Sequence, residues 1–409
     1  MGSHTHHIPE NPPDKLVLPQ SFYAGAIVCM VIGAVAFLAG LFVLNDPVRA
    51  WKSYLIGLSF VTMLSIAGPF FMATQYLTRS GWSPLVRRIP ESFAPAIIPC
   101  AVLALILVFG GSNAIFEWTD PAMKTDPIVS KKLVYLNVPF MAVRTVIGFG
   151  LMAWLGLWMV RNSQLQDETG DKKYNRLNGT LSSIYLIAMS LGLTMFSVDF
   201  IMAMQPHWFS TMWAANIWAS MFQAGMALAT GIIIILVERG QLRGYVNSNH
   251  IHDMSKLTFA ATPFWAYIVF CQFLLIWYAN LPEEATFYNT RLEHGWAGFT
   301  FFLFIGKFVI PFLLMLPRNV KRNEKPYAGL MLPICAWIVL MTIVEVWWWV
   351  VPAPSPGVHH TAPSLPWMEM LVLLGFVGMF AFVTGKTLTR YNLIPVKDPR
   401  LLEAFHHHQ

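Results

Sequence analysis

The sequence predicts an all-α membrane protein of ten transmembrane helices, and three observations carry that prediction. Of 409 residues, 56% are hydrophobic and only 12% charged, against roughly 25% charge in soluble domains, so the chain lacks the polar surface that water requires. Ten apolar runs match the length of about 20 residues that a helix needs to cross a hydrocarbon core. They lie near 21–44, 52–75, 94–115, 139–160, 178–203, 209–237, 258–279, 294–316, 327–351 and 366–387. The basic residues then alternate between the two sides: with the N-terminus cytoplasmic, that side holds nineteen of the 27 Lys and Arg and the other side six, the bias expected of cytoplasmic loops. Both termini are therefore expected inside, and an odd number of spans would spoil the alternation. Those loops account for the net charge of +6, which calls for no nucleic-acid partner.

Taken in order, the chain reads as an arm at 1–20, a ten-helix domain at 21–388 and a cytoplasmic tail at 389–409. The arm, with Pro9, Pro12 and Pro13, carries no assigned function. The first apolar run is too long for a signal peptide and lacks a small-residue cleavage site, so it stays as a helix. On length grounds spans two to five and six to nine could form two four-helix groups, 52–203 and 209–351, although no sequence repeat relates them. Three longer connections, 115–137, 162–175 and 239–256, are either docking places for partner subunits or solvated linkers. Between spans five and six the turn is very tight: Pro206 suits it, and Ser210 or Thr211 is placed to cap the sixth helix. Pro263 and Pro311 fall near span ends, leaving no pair of helices broken at midplane as in secondary transporters.

Redox metals find no obvious ligands. Cys29, Cys100, Cys271 and Cys335 each stand alone in a different span, with no C-x-x-C pair. The histidines lie in the tails (His4, His6, His7, His406, His407, His408), in a cytoplasmic loop (His250, His252) and in outer loops (His207, His359, His360), and only His294 touches a helix end. A haem b needs paired imidazoles inside the helices. Neither haem nor an iron–sulfur cluster is therefore expected in this chain.

Charge inside the bilayer is costly, so intramembrane ionisable groups are functional candidates. Five stand out: Arg144, Asp199, Glu293, Lys307 and Glu345. Helix direction places Arg144, Asp199 and Glu345 in the outer half and Lys307 in the cytoplasmic half. Positions seven apart differ by only about 20° around a helix, and at that spacing the polar residues form stripes: Asn178, Tyr185, Gly192 and Asp199; Asn216, Gln223 and Thr230, with Glu238 near the helix end; Glu293, Thr300 and Lys307. Facing a bundle interior, such stripes could hold waters that conduct protons. The same residues could instead serve helix packing, and Arg144 with Asp199 could be a structural ion pair.

Two segments are distinctive. One is the hairpin from Asp199 to Thr211, D-x(7)-H-W-F-S-T, in which His207 could titrate near neutral pH and Trp208 suits a membrane interface. The other is W-Y-A-N-L-P-E-E from Trp277 to Glu284, whose carboxylates Glu283 and Glu284 could form a proton exit or an acidic docking patch. On these segments the whole chain resembles the NrfD-like integral membrane subunits of bacterial alternative complex III, the ActF type, labelled quinone-binding subunit 2 of quinol:cytochrome c oxidoreductase. That resemblance implies two four-helix bundles, spans two to five and six to nine, flanked by peripheral helices, and a place in the bacterial cytoplasmic membrane. It also implies a sister NrfD-like subunit, an iron–sulfur subunit and haem c subunits as partners, which pass electrons from menaquinol to a periplasmic acceptor.

The resulting expectation is a non-metal membrane subunit of a quinol-oxidising respiratory complex, not catalytic by itself, that conducts protons. The proton-path candidates are Asp199, His207, Arg144, Tyr278, Glu345, Lys307, Thr300, Glu293, Tyr185, Asn216, Gln223, Thr230 and Glu238. An alternative has the chain bind menaquinol itself, with Asp199 or His207 as the base and Trp208 against the ring. A stand-alone secondary transporter ranks last.

Overall fold

Hydrocarbon offers no partner to an open backbone N–H or C=O, so every lipid-crossing run must satisfy its own polar groups as a helix. In the computed structural model, which describes residues 15–358 and 361–407, this happens at each of the ten runs. The helices are α1 (Gln20–Phe42), α2 (Pro47–Leu77), α3 (Pro84–Gly110), α4 (Val138–Thr169), α5 (Lys173–Met204), α6 (Trp213–Glu238), α7 (Ser248–Ala279), α8 (Ala297–Met315), α9 (Met331–Val350) and α10 (Trp367–Arg390). There is no β-strand among the described residues. The chain is an all-α, multi-pass membrane protein. His4, His6, His7, His359, His360, His408 and most of the 1–20 arm lie outside the described residues.

Several boundaries differ from the apolar runs, because hydropathy measures only the stretch in lipid while caps and tertiary contacts decide where the helix stops. α3 begins at Pro84 and not near 94, so Arg87 and Arg88 are buried helix residues and not loop charges. α7 starts at Ser248, where Asn247 caps the backbone N–H groups of Asn249 and His250. His250 and His252 therefore sit in its first turns and Pro263 well inside it. α4 runs on to Thr169 and ends at Gly170, whose φ of +73° suits a residue without Cβ. Neither Ser210 nor Thr211 caps α6. Its first turn follows Met212 with no side-chain cap, and the Ser210 hydroxyl instead accepts from Gln272 Nε2 at 3.1 Å.

α2, α3, α4 and α5 each pack on the next, and α5 closes the ring on α2; α6, α7, α8 and α9 form a second ring of the same kind. The bundles meet where α2 packs on α6 and α9, which makes α2 the central helix, buried along its apolar length. α1 and α10 pair on the outside of α2. Their backbones come close where Gly33 faces Gly375: a Cβ on Gly33 would lie 2.5 Å from the Gly375 Cα, so only small residues allow this crossing.

Tyr23 Oη lies 3.2 Å from Thr389 Oγ1, so α1 begins and α10 ends on one face of the bundle, the terminal face. Beyond α10 the chain is not a free tail. Asp398 accepts from Arg87 Nη2 at 2.9 Å, Lys397 Nζ donates to the Glu168 carbonyl at 2.6 Å, and His250 Nε2 donates to the Ala404 carbonyl at 3.1 Å. Charged anchors spread over several helices set this docking, and no local periodicity records them.

Candidate functional site

All four helices of the second bundle converge on one ion pair. Lys307 Nζ meets Glu345 Oε2, and the two side chains are 0% and 1% exposed. Glu345 Oε1 also accepts from Ser220 Oγ at 2.9 Å and from Trp265 Nε1 at 2.6 Å. The ammonium lies 5.0 Å from the Trp265 ring centroid. Buried charges of this kind persist only when paired and hydrogen-bonded, since desolvation costs several kcal/mol per ion. Lys307 sits in a π-helical turn, Ile305–Val309, within α8. Gln223 Nε2 donates to the Lys307 carbonyl at 3.2 Å and to Thr262 Oγ1 at 3.0 Å, and Trp337 Nε1 donates to the Gly306 carbonyl at 2.7 Å. Such insertions widen a helix and occur often at functional sites.

This contact corrects the depths read from the sequence, which put Lys307 and Glu345 in opposite halves of the bilayer. α8 begins at Ala297, later than its apolar run, so Lys307 lies only about 15 Å along the helix axis. Its long side chain then reaches the carboxylate.

In the first bundle Arg144 of α4 grips Asp199 of α5 with two hydrogen bonds, Nε to Oδ2 and Nη2 to Oδ1, both 2.9 Å. A third bond runs from Nη1 to the Tyr135 carbonyl at 3.0 Å, and the guanidinium covers the Tyr135 and Phe140 rings at 3.7 and 4.4 Å. This is the structural ion pair left open by the sequence, in the bidentate geometry that favours Arg over Lys. Burial, and then the negative charge of Asp199, push the Tyr135 phenol up to about 12. Asp199 occupies a second π-helical turn, Ser197–Ile201. The two bundles thus repeat an arrangement that the sequence hides: a cation on the third helix paired with a carboxylate on the fourth.

The remaining candidates separate. Gln223 faces the Lys307 site, and Asn216, on the same stripe, is buried with its Oδ1 unpartnered. Thr230 donates to the Met226 carbonyl of its own helix at 2.7 Å, and Glu238 is exposed at the end of α6. Thr300 accepts from Trp348 Nε1 at 2.9 Å and donates to the Arg291 carbonyl at 2.7 Å, whereas Glu293 is exposed. The fifth-span stripe packs inside the first bundle: Asn178 accepts from Asn162 Nδ2 at 2.9 Å, Gly192 lies against Met152, and the Tyr185 hydroxyl points at the Ile66 carbonyl, 3.5 Å away. Tyr278 is 84% exposed, outside both bundle interiors.

Asp199, His207 and Trp208 have separate partners. His207 Nε2 lies 3.1 Å from Asp126 Oδ2, and the buried Trp208 stacks on Phe287 at 4.4 Å. Backbone N–H of Val129, then His207 and the Ile128 N–H, hold the Asp126 carboxyl down at about 2. Glu283 is exposed in the first turn of the helix Pro282–Leu292, and Glu284 is half-buried there.

Sequence reasoning passed over Ser220, Thr262 and Trp265, because a hydroxyl or an indole carries no sign of what it will face. It also counted Lys52 and Arg291 as loop charges. Both are buried, and both cap the C-terminal end of α9: Lys52 Nζ donates to the Val351 and Ala353 carbonyls at 3.2 and 2.5 Å, and Arg291 donates to those of Trp348 and Trp349 at 3.0 and 2.5 Å. Near the terminal face, Glu91 binds both Arg87 and Arg88, while Asp398 also pairs with Arg87 and Asp167 with Arg88. There a signal did exist, since Glu91 follows the two arginines at i+4 and i+3. Among the described residues no three His, Cys, Asp or Glu side chains gather as a metal site. No family model matches this chain, and no curated protein matches it.

Proposed function

We propose that this chain is the non-metal integral subunit of a quinol-oxidising respiratory complex of the alternative complex III type, and that it conducts protons through its second bundle. The observation that carries the conduction reading is the Lys307–Glu345 pair, wholly buried where four helices meet. Around it Ser220 donates to Glu345, Gln223 donates to the Lys307 carbonyl and to Thr262, and Thr262 donates to the Thr258 carbonyl, all buried. An intramembrane pair of this kind commonly marks an ion or proton pathway. Asp199 and Arg144 act in this reading as the brace of the first bundle.

The resemblance of the Asp199–Thr211 and Trp277–Glu284 segments supports the assignment to the complex, with a sister NrfD-like subunit, an iron–sulfur subunit and haem c subunits as partners and menaquinol as the reductant. The same resemblance supports a bacterial cytoplasmic membrane location, and the Lys and Arg count supports the terminal face lying inside.

The test is proton translocation by the reconstituted complex in liposomes, driven by quinol oxidation. Glu345→Gln keeps an acceptor for Ser220 and Trp265 but removes the exchangeable carboxylate. It is expected to lower protons moved per electron severalfold while electron transfer stays near wild type. An unchanged proton yield refutes the pathway.

A further inference from the structure

On the terminal face a groove runs between the ends of α4 and α10, with Pro95 of α3 in its wall. It holds two cavities of about 390 and 630 Å³ that share Arg161 and Arg390. Lys386 borders the first and Lys15 the second, where Glu168 is the one carboxylate in the lining. These four cations are exposed, and none has a carboxylate partner among the described residues, in contrast to Arg87 and Arg88 on Glu91. Lys386 and Arg390 lie over the Phe382 and Tyr391 rings at 4.6 and 5.4 Å, contacts that leave their N–H groups open to an anion. A surplus of Lys and Arg on one face explains the sign of these charges. It does not explain why four of them border one groove.

The groove also lies at headgroup level. Trp154 and Trp158, 59% and 36% exposed, precede Arg161 on α4, where an interfacial aromatic belt belongs. Deeper along α3, Ile98, Val102 and Ile106 follow Pro95 at a spacing of four, each about half exposed, so one helix face offers a strip for acyl chains. We propose that this groove binds an anionic phospholipid, with the two linked phosphates of a cardiolipin fitting it best. Each cavity takes one phosphate: Arg161 and Arg390 stand at both, Lys386 completes the first set and Lys15 the second. Guanidinium forks match phosphate oxygens, and basic pockets between membrane helices favour such headgroups. A zwitterionic headgroup brings its own cation to a place already crowded with them. Free phosphate offers the same anion but leaves the apolar strip uncovered, so lipid is the favoured source.

The test titrates the purified full chain in neutral detergent with cardiolipin or phosphatidylcholine and counts bound lipid by native mass spectrometry. Cardiolipin is expected to bind about tenfold more tightly than phosphatidylcholine, and an equal concentration of glycerol 3-phosphate should not displace it. Arg161→Gln/Arg390→Gln should weaken cardiolipin binding about tenfold and Lys386→Gln severalfold. Arg239→Gln/Arg243→Gln, exposed at the end of α6 and outside the groove, should leave it unchanged. All five substituted side chains are exposed, and an unchanged melting temperature verifies the fold of each variant. Equal binding of phosphatidylcholine, undiminished cardiolipin binding in both groove variants, an equal loss in the α6 variant, or displacement by glycerol 3-phosphate each overturn the assignment. None of these readouts turns on electron or proton transfer, so this inference and the proposed function fail separately.

Discussion

Replacing Lys307 by Met removes the cation paired with a carboxylate that is 1% exposed. Glu345 then keeps two neutral donors, Ser220 Oγ at 2.9 Å and Trp265 Nε1 at 2.6 Å. Stranding one member of a buried pair costs about 3–5 kcal/mol, or roughly 10²- to 10⁴-fold in the folding equilibrium. The reverse single change, Glu345→Gln, strands the ammonium at a similar cost. The double variant Lys307→Met/Glu345→Gln leaves no charge to desolvate, and the glutamine carbonyl still accepts from both donors. It is expected within about 2 kcal/mol of wild type, because uncharged replacements of a buried pair are often near neutral. The cycle should therefore show a coupling of several kcal/mol in favour of the double variant. Unfolding of the purified chain in mixed micelles, titrated with dodecyl sulfate and followed by the fluorescence of its 16 Trp, measures all four proteins. Additive losses, or a Lys307→Met loss below about 1 kcal/mol, would refute the claim that the two buried charges depend on each other.

Two other perturbations probe the supports of the site. Arg291→Met takes the donors from the Trp348 and Trp349 carbonyls at the negative end of α9, at about 1–3 kcal/mol for each stranded acceptor. Burial lowers the Arg291 guanidinium to about 9, which leaves it charged at neutral pH. Faster hydrogen exchange in the helix Pro282–Leu292 is the expected readout, and Arg291→Lys should restore only part of the protection, since Lys lacks the planar fork. Asp126→Asn should loosen the turn at 126–132, seen as faster exchange of the Ile128 and Val129 amides. The folded carboxyl lies at about 2 and the unfolded one near 3.9, so its stabilisation is complete above the unfolded value and is lost as pH falls toward 2. Protection of those amides, corrected for intrinsic rate, is therefore expected to match at pH 7 and pH 5.

Much of this architecture is legible without coordinates. The ten spans follow from apolar run length, because the hydrocarbon core tests each segment separately and a helix answers with its own backbone. The ionisable residues Arg144, Asp199, Lys307 and Glu345 are legible for the same reason: a charge in an apolar run stands out against its neighbours. Arg144 with Asp199 was one open alternative, but the pairing of Lys307 with Glu345 is not legible. It depends on helix rotation and on π-helical turns at Ser197–Ile201 and Ile305–Val309 that break the seven-residue stripes, so Lys307 met Glu345 across two nominal halves of the bilayer while the Asn178–Tyr185 stripe turned to packing. Burial of Lys52 and Arg291 was equally hidden, since each is paid for by carbonyls far away in sequence, whereas Arg87 and Arg88 had Glu91 beside them. The sequence determined which segments must leave water, an additive property of local composition. Only the tertiary structure decided which polar groups meet, because that depends on what every other helix presents at the same depth.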